Sequence, residues 1–92
     1  METNMSLFNQ VNSLCYWFQR ETEYKCSFAL DSEKDIYFVR LKDQATQLYA
    51  QQISEFSKKC KMTTKLLQIE LSSIAHSLVH IKENYMLENQ HA

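Results

Sequence analysis

The chain contains neither glycine nor proline, and this limits its folding options more than any other feature of the sequence. Glycine supplies positive-φ positions in tight turns without a steric penalty, and proline supplies fixed stops between elements. Without them few tight turns are expected. The same absence removes phosphate-cradling glycine loops, nucleophile elbows and dinucleotide fingerprints, each of which needs glycine where backbone approaches a ligand.

With 92 residues there is room for one domain, residues 1–92, and a domain this short buries only about 60 to 65% of its unfolded surface. Hydrophobic residues at 45% and charged residues at 23% fit a folded globular chain and argue against wholesale disorder. Ten Lys and Arg against eleven Asp and Glu leave a net charge of -1. No global field therefore draws in nucleic acid or an anionic membrane, and a partner is selected by local surface. Met1 to Asn4 carries no basic residue, and no apolar run of signal-peptide or membrane-spanning length occurs. The expected location is the cytoplasm or the nucleus. Cys15, Cys26 and Cys60 form neither a CxxC pair nor an even disulfide framework, which fits a reducing compartment and a packing role for small apolar residues.

From Asn4 or Ser6 to Glu23, the residues Phe8, Val11, Leu14, Cys15 and Phe18 recur at steps of three and four. This spacing predicts an amphipathic helix over 4–23, capped by Asn4 or Ser6. The aromatic run Tyr16-Trp17-Phe18 predicts neighbours on two sides of it. The period then changes. Tyr24, Cys26, Phe28 and Leu30 alternate with Lys25, Ser27 and Ala29, and Tyr37, Val39 and Leu41 alternate with Phe38 and Arg40. An antiparallel hairpin over 24–42 follows, turning at Asp31-Ser32-Glu33-Lys34-Asp35. Two strands alone are marginal in water, so one face must pack on helices or find another strand.

Helical spacing resumes over 43–90, first through Ala45, Leu48, Tyr49, Ile53, Phe56 and Cys60. It continues through Leu67, Leu71, Ile74, Leu78, Ile81 and Tyr85, whose steps of 4, 3, 4, 3 and 4 make a coiled-coil-like seam. One long helix or two are both possible. Ser57 to Thr64 is the weak point, where Thr63 and Thr64 can cap a new helix and a bend or short break would fold the second half back as a helical hairpin. The fold class expected is α+β with helix predominating: an N-terminal helix, a hairpin and a long or broken C-terminal helix. The order helix, strand, strand, long helix is similar to the opening of the type III secretion chaperones over Leu7 to Leu41. This chain is shorter and without the later strands of that family.

Between Leu66 and Ile81 the apolar residues spread around more than half of the helix. One partner surface would not cover them, so part of the face is expected to meet another chain; the alternative is that the chain folds back at Ser57 to Thr64 and buries the face internally. The expected function is therefore a non-catalytic protein-protein interaction module: an adaptor, regulator or small chaperone-like subunit. It would dimerise or dock a protein partner through Leu67, Leu71, Ile74, Leu78, Ile81 and Tyr85. The alternative is a nucleic-acid-binding regulator presenting the basic cluster Lys58, Lys59, Lys61 and Lys65 from a dimer.

Other chemistry has less support in the sequence. His76, His80 and Glu83 share a helix face of metal-binding geometry, but the spacing is neither HExxH nor ExxH and a third strong ligand is missing. Phe28, Tyr37 and Phe38 could stack bases, although core packing is the expected role. No local motif sets a nucleophile beside a base with an orienting third group. No metal, cofactor or small-molecule substrate is assigned.

Overall fold

The first helix, α1 (Thr3–Glu21), forms where the 3.6-residue spacing places it. Val11, Leu14, Cys15 and Phe18 fall on one side and are buried, with Leu7, Phe8 and Trp17 partly buried beside them. In the computed structural model, which describes residues 3–89, α1 is followed by β1 (Lys25–Asp31), β2 (Ile36–Asp43), β3 (Thr46–Ser54) and α2 (Lys61–Asn89). The class is α+β with helix predominating, as the periodicities imply. Asn4 and Ser6 lie inside α1 rather than capping it. Asn4 Nδ2 donates instead to the Thr64 carbonyl at 3.3 Å. Thr22 ends the helix in place of glycine. Its N–H and its hydroxyl both donate to the Phe18 carbonyl, at 3.2 and 2.6 Å, and its hydroxyl accepts from the Tyr24 N–H at 2.9 Å.

The hairpin forms as expected, with Phe28 opposite Val39 and Leu30 opposite Tyr37. Asp31 organises its turn by accepting from the Glu33 and Lys34 N–H groups at 3.0 and 3.2 Å, an Asx-type arrangement. A third strand then corrects the helical reading of 43–60. β3 pairs antiparallel with β2, Tyr49 opposite Leu41 and Ile53 opposite Tyr37, giving the sheet order β1-β2-β3. Apolar steps of four suit a strand as well as a helix, because four is also a multiple of two. The sheet turns its Tyr37, Val39, Leu41 and Ile53 side to the core, all at most 2% exposed, while Arg40, Ala50 and Gln52 face outward.

The sheet turns tightly without glycine. Positive φ angles of 55°, 55° and 54° fall at Asp35, Gln44 and Glu55, so non-glycine residues occupy left-handed positions that carry a steric cost. The expected weak point at Ser57 to Thr64 is a strand-to-helix connection, not a bend in one helix. Cys60 caps α2 there: its thiol lies 3.5 Å from the Thr63 N–H and its carbonyl accepts from the Thr64 N–H at 3.0 Å. α1 and α2 run side by side in the same direction. Asn4 meets Thr64 at one end, and at the other the Tyr85 hydroxyl donates to Glu23 Oε1 at 3.0 Å. The core lies between this helix pair and the sheet, and α2, at about 1.5 Å per residue, sets the 48 Å long axis of the molecule.

Candidate protein interaction surface

The two sides of α2 have different fates. Leu71, Ile74 and Leu78 are at most 1% exposed and lie in the chain's own core, with Leu67 and Ile81 partly buried against it. Tyr85 closes the far end. Its ring meets Tyr24 edge-on at 5.2 Å and Trp17 at 6.2 Å, and Lys82 Nζ sits 4.6 Å from the Trp17 ring centroid. The six residues expected to form a docking face therefore hold one chain together. The physical reason is β3. A third strand widens the internal surface to which α2 can pack, and a helical reading of 43–60 leaves that surface out.

Of the apolar residues that α2 leaves exposed, three lie on the opposite side near its start, and Met86 and Leu87 lie in its last turn. Met62, Leu66 and Ile69 are 73%, 51% and 65% exposed. Their steps of four and three make one stripe, roughly 110° to 170° around the helix from the buried seam at 100° per residue. With Lys61 and Lys65 they line a shallow concavity of about 420 Å³. Lysine stems can extend such apolar surface while their ammonium groups form a charged rim. Leu66 and Ile69 already stand out in the sequence as apolar residues off the main seam. Met62 extends this second seam into the first turn of α2.

The basic cluster is exposed at the start of α2. Lys58 pairs with Glu55 at 3.1 Å, while Lys61 and Lys65 flank the apolar stripe. Cys60 sits among them. The Thr63 hydroxyl and N–H hold its thiol pKa below the usual value, with Lys58 adding to the effect. Cys15 and Cys26 form a separate, interior pair. Their mutual hydrogen bond, reinforced by burial, pushes the Cys15 thiol up, and the same bond lowers Cys26.

His76, His80 and Glu83 are exposed on the outer side of α2, and His80 Nε2 lies 3.4 Å from Asn84 Nδ2. Among the described residues no group of three or more His, Cys, Asp or Glu side chains is placed to hold a metal ion. Nor is any helix long and apolar enough to cross a membrane. Phe28 and Phe38 lie on opposite sides of the sheet, since Phe28 pairs with Val39, the residue after Phe38. They do not form one stacking platform with Tyr37, which is buried.

No protein-family model, curated protein or solved structure matches the chain. The likeness of element order to the type III secretion chaperones therefore carries no argument, and the functional reading rests on the surface itself.

Proposed function

We propose that this chain is a non-catalytic interaction module that docks another protein through the outward stripe of α2: Met62, Leu66 and Ile69, rimmed by Lys61 and Lys65. The observation that carries the reading is the exposure of three large apolar side chains at helical spacing, on a helix whose other side already completes a core. Isolated exposed apolar residues are ordinary, but a contiguous apolar patch with a charged rim is the usual form of a docking surface. The fitting occupant is an apolar helix or ridge flanked by carboxylates. The two lysines provide electrostatic complementarity, and the stripe provides burial at about 25 cal/mol per Å².

The basic rim also bears on the nucleic-acid alternative. Lys58 is shared with Glu55, and Lys61 and Lys65 border an apolar centre, which suits a protein better than a phosphate backbone. The test is affinity capture with the wild-type chain as bait, compared with a Leu66→Asp, Ile69→Asp double variant. The wild type retains a protein that the double variant loses, while both give the same circular dichroism spectrum. Equal retention by both baits overturns the reading. Retention of nucleic acid that vanishes between low and moderate salt replaces it with the alternative.

A further inference from the structure

A different surface, independent of the α2 stripe, carries a more specific inference. β1 is an edge strand, paired to β2 on one side in an unbroken register from Lys25 opposite Lys42 to Asp31 opposite Ile36. In an antiparallel ladder the N–H and C=O of one residue point to the same side, and the side alternates along the strand. The Cys26 N–H is turned away from β2, donating to Gln19 Oε1 at 3.0 Å. The alternation therefore directs the backbone groups of Phe28 and Leu30 to the open edge.

Their side chains are also unusual. Through their partners Val39 and Tyr37, both buried, Phe28 and Leu30 belong to the helix-facing side of the sheet, yet they are 42% and 49% exposed. Natural edges are commonly protected by proline, a bulge or an inward-pointing charge. β1 has none of these: its sequence is Lys-Cys-Ser-Phe-Ala-Leu-Asp, and its pairing with β2 is regular. Gln19 covers only the Cys26 end.

We propose that β1 pairs with β1 of a second copy, antiparallel and centred on Phe28. The strand's own sequence selects a second copy over a foreign peptide. Reversed about Phe28, it sets Lys25 opposite the partner's Asp31, Cys26 opposite the partner's Leu30, and Phe28 opposite its counterpart. The parity is right, because the residues brought face to face are those whose backbone groups point outward. A shift of the axis by one residue keeps that parity but sets Lys25 against Ala29 or beyond the strand end, so charge fixes the register. Phe28 exchanges both backbone bonds with its counterpart, and the Leu30 N–H donates to the Cys26 carbonyl of the partner subunit without displacing Gln19. The contact is isologous, as two-fold pairing requires. It joins the sheets with the helices of both copies on one face and covers Phe28 and Leu30.

Sedimentation equilibrium on the full wild-type chain, at about 100 µM, tests this. The expected mass is twice the 11.0 kDa of one chain. Phe28→Lys sets like charges face to face at the axis and should give a monomer. Lys25→Asp and Asp31→Lys should each weaken association about tenfold, since like charges then stand opposite at both symmetric ends. An equimolar mixture of those two variants restores it, because each supplies the charge the other needs. Asp31 also holds the hairpin turn, so circular dichroism confirms the fold of each variant, and the charge-swap mixture serves if Phe28→Lys fails to fold. A monomeric wild type, or a mixture no tighter than either variant alone, overturns the proposal. So does a dimer that survives Phe28→Lys but dissociates on Ile69→Asp, an outcome that leaves the α2 docking reading standing.

Discussion

Asp35, Gln44 and Glu55 show how a chain without glycine makes its turns. All three adopt positive φ, but Asp35 also gains contacts there. Its carbonyl accepts from the Phe56 N–H at 3.1 Å, and its carboxylate accepts from the Ser57 N–H at 3.0 and 3.1 Å. Gln44 is an exposed residue in the short β2–β3 turn. Gln44→Gly should therefore stabilise the protein by about 0.5 kcal/mol in urea denaturation, the relief of Cβ crowding exceeding the added entropy of the unfolded chain. At the centre of the core, the Tyr37 hydroxyl donates to Asn12 Oδ1. Burial, helped by the nearby Cys15 and Cys26, pushes the Tyr37 phenol well above its ordinary value of 10.0. A folded-state value raised above the unfolded one means that the native chain keeps a proton the unfolded chain has lost. That contribution is whole below about pH 10 and falls away above it, by about 1.4 kcal/mol per pH unit for one such group. Tyr37→Phe should make this alkaline decline shallower. At neutral pH it should cost about 1–2 kcal/mol, because the Asn12 carboxamide loses its donor.

At the scale of elements, α2 breaks a local rule where the docking surface lies. Its first turn has no acidic residue, and Lys61 stands there against the positive end of the helix dipole. Lys61→Glu should raise thermal stability by about 0.3–1 kcal/mol and weaken capture of the docked protein. Unchanged capture would remove Lys61 from the rim. The elements differ in how well they could be read from sequence. α1 and the hairpin are legible because Val11, Leu14, Cys15 and Phe18 keep one period and Tyr37, Val39 and Leu41 keep the other without interruption. β3 is not. Gln51 occupies the helix-facing side between Tyr49 and Ile53, which spoils the alternation, and the turn before it lacks the glycine that would announce a hairpin. The docking residues follow from the same error. The apolar circumference of α2 is legible, but which arc is covered depends on a sheet one strand wider than the alternation reveals.

For the whole molecule, α1 and α2 run parallel over one sheet, tied at one end by Asn4 to Thr64 and at the other by Tyr85 against Tyr24, Trp17 and Glu23. This arrangement closes the seam of α2 and leaves its opposite stripe and the β1 edge open. The two sides of one helix thus do different work. Chemical denaturation of Leu71→Asp and Ile69→Asp, two substitutions of similar chemistry two residues apart, tests this most directly. Leu71→Asp places a charge in the core and should cost more than about 4 kcal/mol or prevent folding, while Ile69→Asp should stay within about 0.5 kcal/mol of the wild type. Comparable losses in both variants, or a larger loss for Ile69→Asp, would contradict the assignment of faces.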